Sequence, residues 1–504
     1  METVRVLQLG AEDFSKSIQI SGCAEWCYEP DFSELPEKDF DVVILDRGVS
    51  AEEFDFLVRF AKAYTLFITE KLRIKKGNLT HQLFVRKRGK RISTEELMRL
   101  LAEDLSDYFP GSYGERYNPR NLSIAQGFAG KVSWRGYEGV DLEGDYGNEL
   151  TQVAFWRINL PLFGNQAREF WLEYTKDDTV EIALEITLLQ YLYTADSVIQ
   201  EAHVFTEDDL KSVVLIENQS ENQRHISVSL RARGEGHLTI AALHARLSRR
   251  GKGNFIPGGR RLVTSKREEV FYYFDPGNLK PPLNVYFSGY RTQEGFEGYN
   301  MMRRMEHPFL LIADPRLEGG ALYIGSEEYE KNIELIIRKY MKVLGFQNSE
   351  VILSGLSMGS FGALYYGCKI RPNTILVGKP LANIGDMVVN ERLKNPEMTH
   401  SWLDLLHKEC GSLSKEAAEC LNNRFWDQFN RADWSETRFA VAYMIEDDLD
   451  GNAYESLQTH LKDAGVRIYG KGLHGRHNDN TPGINNWFKN QYREIIRIDF
   501  DEKE

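Results

Sequence analysis

Apolar positions along this chain follow three successive rhythms. Up to about residue 125, short apolar runs alternate with helical spacing. Val4–Leu9 reads as a strand, and the run from Phe40 to Asp46 is apolar enough to be buried on both faces. Helical spacing of Phe54, Leu57, Val58 and Phe60 follows over 51–63, then a strand over 64–69. This alternation predicts a doubly wound α/β domain over residues 1–125.

From about 126 to 275 the period changes to two. Strands are predicted over 152–159, 169–174, 180–188, 212–217, 225–233, 237–247 and 269–274, with turn residues about every ten positions. That pattern predicts a β-sandwich. Trp134, Trp156 and Trp171 offer aromatic surface for carbohydrate or a partner, although core packing is the commoner use of such rings. Arg246, Arg249, Arg250, Lys252, Arg260 and Arg261 surround a glycine-rich stretch over 251–259, read as an exposed loop at an interface. A second basic run, Arg86 to Arg91, reads as a solvated hairpin turn.

Strand and helix alternate again over 276–504, and this region holds the candidate chemistry. Val351, Ile352 and Leu353 form a short buried-strand pattern, followed by Gly355-Leu-Ser357-Met-Gly359 and a helix opened by small residues such as Gly362 and Ala363. A strand, a Gly-x-Ser-x-Gly turn and a helix make a nucleophile elbow, which lifts the serine onto a sharp turn above a sheet. An ordinary strand-to-helix turn would carry some of the same letters.

Serine is a poor nucleophile until a histidine takes its proton, and the histidine needs a carboxylate to fix its tautomer. In this arrangement the acid and then the histidine follow the serine in sequence. A strand pattern over 437–445 runs into Glu446, Asp447, Asp448 and Asp450, placing acids at the carboxyl end of a strand. Asp447 is the first choice, with Glu446, Asp448 and Asp450 as rivals. After a further helix and strand comes a loop with His474 and His477, then a final helix from about 483 to 496. His477, nearer that helix, is preferred as the base. His474, His477 and Asp479 also have a spacing that metal ligands use, and no other His/Cys cluster has one.

Acyl transfer also requires backbone donors for the oxyanion. The amide of Met358, after the nucleophile, is the first candidate. The second is expected after the strand ending at Phe287, at Tyr290, with Gly289 or Arg291 as alternatives.

Composition narrows the classes. The chain has 504 residues, enough for two to four domains. A net charge of -13 argues against nucleic acid as a partner. Five scattered cysteines make no disulfide framework, and neither a signal peptide nor a membrane-spanning run is apparent, so a cytoplasmic location is expected. No Gly-x-Gly-x-x-Gly follows the first strand, so the Rossmann-like first region lacks a dinucleotide fingerprint, and no cofactor is expected.

The C-terminal third, three-layered αβα by this reading, resembles an α/β-hydrolase. The whole chain resembles the second accessory Sec secretion protein of Gram-positive bacteria. The resemblance rests on the order of the three regions and on four segments: Tyr286 to Arg291, Gly355 to Gly362, Ala442 to Asp450 and His474 to Asn478. It implies work in exporting serine-rich repeat glycoprotein adhesins, with two sister accessory proteins and the accessory Sec translocase. It also implies O-acetylation of N-acetylglucosamine on the adhesin, from an acetyl donor the sequence does not identify. Ser357, His477 and an acid at 446 or 447 would carry that chemistry, at the inner face of the membrane through partners.

Overall fold

The computed structural model describes residues 3–191, 197–317, 319–394, 400–462 and 464–501. Three sheets organise this mixed α/β chain. The first has five parallel strands in the order Ala24–Tyr28, Val4–Leu9, Val42–Leu45, Leu66–Thr69, Lys90–Ile92. Its strands alternate between two cores. Val4, Val6, Val42 and Ile44 pack on one face, and Leu7, Leu9, Val43 and Leu45 on the other. That two-sided burial explains the continuous apolar runs. Helices Ala51–Phe60 and Thr94–Ala102 each begin with a capping box, Ser50 with Glu53 and Ser93 with Glu96.

The basic run is not a hairpin turn. Arg86 ends the helix Leu79–Arg86, and Lys90 opens a parallel strand. Lys87 is buried between them and donates to the carbonyl of Val58.

The second sheet has ten strands with antiparallel pairing. A single 24-residue strand, Arg224–Leu247, pairs with Gly139–Trp156, Val180–Tyr191 and Ala167–Lys176. The expected sandwich of separate sheets is instead one hydrogen-bonded sheet wrapped around a core that includes Leu142, Trp156, Leu172, Leu184 and Leu230. The two strands predicted over 225–247 are one, because the register shifts on either side of Gly234 without reversing the chain. Gly114–Tyr117 and Leu122–Ile124 also join this sheet.

Trp156 and Trp171 are buried, and Trp171 lies between the guanidinium groups of Arg261 and Arg267. These two rings serve packing rather than an exposed sugar platform. Trp134 is half exposed. Nor is the arginine cluster one exposed loop. Arg249 is fully buried and donates to the carbonyls of Asp107, Phe109, Pro110 and Phe255. Arg246 is buried against Glu269 and Glu294.

The third sheet runs in the order Arg260–Val263, Glu269–Asp275, Phe309–Ala313, Leu283–Phe287, Val351–Leu356, Thr374–Gly378, Arg438–Met444, Ile468–Leu473. Glu269–Asp275, assigned from sequence to the β-rich region, belongs here by its pairing with Phe309–Ala313. From Phe309–Ala313 onward the pairing is parallel. Helices Glu327–Leu344 and Met358–Ile370 share one core with Val285, Leu353 and Val377. Helix Thr481–Ile496 covers the opposite face with Tyr286, Ile352 and Leu376. The chain leaves Leu283–Phe287 for the strand on one side and then returns to Val351–Leu356 on the other. Their carboxyl ends therefore form a topological switch point, where ligand sites of open α/β sheets lie. Among the described residues no helix is long and apolar enough to cross a membrane.

Candidate active site

Ser357 is the single residue between the strand Val351–Leu356 and the helix Met358–Ile370, with φ 53° and ψ -121°. A non-glycine residue in that region is strained and must be held by its surroundings. Its amide donates to the carbonyl of Gly378 at 2.9 Å, which ties the turn to the next strand. Both flanking glycines are demanded by space. A Cβ at Gly355 would lie 2.2 Å from the carbonyl oxygen of Gly359.

The serine Oγ is 2.8 Å from Nε2 of His477. Nδ1 of that ring faces Asp447, at 2.9 Å from Oδ2 and 3.1 Å from Oδ1. The His477 and Asp447 side chains are 3% and 4% exposed. A buried carboxylate accepting from Nδ1 fixes the proton there and leaves Nε2 as acceptor for the serine proton. Burial pushes the Asp447 pKa up. The hydrogen bond and charge of His477, with the amides of Leu449 and Asp450, outweigh it and hold the group below its ordinary value.

The rival acids have other tasks. Glu446 accepts from the amide of Gly475 and from His474, out in solvent. Asp448 accepts from the His477 backbone amide at 2.9 Å and so holds the loop rather than the ring. Asp450 is buried and accepts from the Ala382 and Asn383 amides and the Asn383 side chain. His474, His477 and Asp479 do not converge as a ligand set, since His474 pairs with Glu446 and Asp479 with Arg476.

Met358 is buried at the first position of its helix. The first amides of a helix have no acceptor within it, and they carry the positive end of its dipole. In the facing loop, the Gly289 amide donates to Glu297 Oε2 at 2.6 Å, and the Arg291 amide to the carbonyl of Gly319 at 3.4 Å. The Tyr290 ring packs over Gly319, where any Cβ would lie 2.0 Å from it.

Two charged neighbours were not anticipated from sequence. Glu297 is held by the Gly289 amide and by the hydroxyl of Tyr286. Lys379, directly after the strand Thr374–Gly378, is 6% exposed and reaches Asn478 and Thr481, just past the histidine. Burial lowers its pKa, against the opposing pull of Asp447 and Glu297. Neither residue lies in a motif, so only the folded arrangement reveals them.

This geometry sits in a chain whose residues 4–502 match the model of a protein family described as the accessory Sec system GspB-transporter. The chain belongs to this family, that of the second accessory Sec protein. It is 37% identical over 512 residues to the family's accessory Sec system protein of Streptococcus gordonii, covering 99% of each. To the protein of the same name in Staphylococcus aureus it is 38% identical over 517 residues, covering 98% of this chain and 97% of the relative. Among solved structures it is similar to a chain of the Glycosylation Associate Protein (Gap123) complex from Streptococcus agalactiae. The TM-score is 0.85 at 33% identity, with 98% of each chain covered. As a GspB-transporter family member the chain is thus assigned to the accessory Sec system along nearly its whole length.

Proposed function

We propose that this accessory Sec chain is a serine acyltransferase of the α/β-hydrolase type that O-acetylates N-acetylglucosamine on a serine-rich repeat glycoprotein during its export. The observation that carries this reading is the unbroken relay Ser357–His477–Asp447, with its base and acid shielded from water. A binding scaffold has no need of a strained serine aligned on a buried imidazole–carboxylate pair.

In the first half-reaction the Ser357 Oγ attacks the carbonyl of an activated acetyl donor while His477 Nε2 takes its proton. The tetrahedral oxyanion is met by the Met358 amide and, from the facing loop, by that of Tyr290. Each such donor contributes about 2.7–4 kcal/mol in the transition state. Collapse expels the donor's leaving group, which receives the proton from His477. In the second half a sugar hydroxyl gives its proton to the same nitrogen and attacks the acetyl-serine; collapse breaks the bond to Ser357 Oγ, which takes that proton back. Asp447 keeps its charge throughout and stabilises the transient imidazolium.

The division into three sheets fits this reading, with chemistry in the last and partner contacts in the first two. The solved relative is part of a complex, and the family is an accessory Sec family. Both support assembly with two sister accessory proteins and the translocase, at the inner face of the membrane.

A second reading is a secretion adaptor whose hydrolase-like part is only a scaffold, favoured by the two sheets that hold none of the relay. Mass spectrometry of sugars on the exported glycoprotein separates the two. Loss of acetylated N-acetylhexosamine in Ser357→Ala, with export intact, is expected. An unchanged glycan profile would sink the acetyltransferase reading and leave the adaptor.

A further inference from the structure

Two basic stretches that the acyl-transfer chemistry leaves unused, around Arg88 and around Arg260, meet in one open cleft of about 800 Å³. Its walls come from all three sheets, and its lining includes Tyr64, Tyr108 and Tyr272. Five lining side chains are cationic: Arg88, Lys90, Lys252, Arg260 and Arg261. Glu169 is the lone carboxylate of that lining. This is an unusual concentration of positive charge on a chain of net charge -13.

Three of those cations are already paired, Lys90 with Glu96, Lys252 with Asp104 and Arg261 with Glu269. Arg88 and Arg260 have no ion-pair partner among the described residues. Both line the same cleft, and the Arg88 guanidinium lies over the rings of Tyr64 and Phe274. Like charges lining one cleft repel each other, and an anion bound there relieves that repulsion.

The strands beside them supply the second observation. Lys90–Ile92 is the last strand of the five-stranded sheet and Arg260–Val263 the first of the eight-stranded one. Both are edges, with a row of backbone N–H and C=O groups that no further strand pairs. Cations guard many edges against association. A guard works best spread out in water, whereas these two line one concave cleft together with Tyr64, Tyr108 and Tyr272.

We propose that this cleft docks an extended acidic segment of a partner protein, laid along a strand edge with its carboxylates on Arg88 and Arg260. Strand addition gives main-chain affinity and leaves alternate side chains facing one way, about 6.6–6.8 Å apart. The preferred segment therefore has Asp or Glu at every second position. A phosphate ligand is less favoured, because the adjacent glycine-rich loop turns three of its amides inward. Those of Asn254, Gly258 and Gly259 donate to the carbonyls of Gly259, Lys252 and Ile256.

The test uses the full chain and a short fluorescent peptide of alternating Glu and Thr, followed by anisotropy. The peptide is expected to bind, and its Gln/Thr counterpart not to. The double variant Arg88→Ala, Arg260→Ala should weaken binding at least about tenfold, with the unfolding midpoint and ester hydrolysis unchanged. Equal affinity in the double variant would overturn the proposal. So would failure of the peptide while inorganic polyphosphate or phosphatidylglycerol vesicles bind through the same arginines. A backbone N-methylated Glu/Thr peptide that binds as well as the parent would overturn the strand alignment.

Discussion

A Cβ placed on Gly359 would stand 2.1 Å from the carbonyl oxygen of Phe287. The nucleophile's helix is therefore seated directly on the end of the neighbouring strand, and that contact sets the height of Ser357. Gly359→Ala must push the helix away from the sheet. Overpacking of this kind costs about 1–3 kcal/mol, and the upper end is expected because the clash is with backbone. Urea unfolding should show it. Ester hydrolysis should fall further than stability alone explains, since the serine would be displaced from His477.

Asp447 and Glu446 are adjacent in sequence but face different histidines. Asp447→Asn should preserve the fold and lower kcat by about four orders of magnitude, the effect of presenting the wrong imidazole tautomer. Glu446→Gln should change kcat by less than about threefold, because its partners lie in solvent. Hydrolysis of a simple acetyl ester, with single-turnover acylation of Ser357, reads both. Equal losses in the two variants would contradict the geometry.

Why the acid had four candidates and the serine one is a matter of local against tertiary encoding. The elbow is written in adjacent residues, since strand, glycines and small helical residues must all be present for the turn to close. The choice among Glu446, Asp447, Asp448 and Asp450 depends on how the chain turns after Met444, and no residue type announces that. The long strand Arg224–Leu247 looks like two in sequence because Gly234 and Gly236 resemble a turn. With φ of 95° and 146° they instead let the strand bend where its register shifts. The buried arginines look like surface residues in sequence because their partners lie far away along the chain. Arg249 reaches carbonyls some 140 positions earlier, and Arg246 meets acids in two other segments.

Among the described residues the buried ammonium of Lys379 makes two long hydrogen bonds, 3.3 Å to Asn478 and 3.4 Å to Thr481. Its desolvation is weakly compensated, so Lys379→Met should leave the unfolding midpoint unchanged or raise it. Activity should move the other way. The two contacts tether the residues just past His477, and a small displacement of the base costs about 10–100-fold. Steady-state kinetics beside thermal unfolding would separate the two effects. A parallel loss of both would mean that Lys379 serves only the fold.

His244 is fully buried in an ion network that joins the second sheet to the third. Its ring meets Glu294 and Glu173, and Arg246 bridges Glu294 to Glu269. Glu294 also pairs by backbone with Gly114, so the loop that carries Gly289 and Glu297 is pinned to the second sheet. Burial opposes protonation of His244, but Glu294 and Glu269 outweigh it and raise the pKa from 6.5 to about 9. A histidine with a raised folded pKa contributes stability that is complete below its unfolded value. That contribution is lost as pH climbs to the folded value. Unfolding free energy should therefore fall between about pH 6.5 and about pH 9. His244→Gln should lower stability at pH 6 and flatten the slope over that window. Denaturant titrations at stepped pH would show this, and a slope unchanged in the variant would mean that another group titrates there.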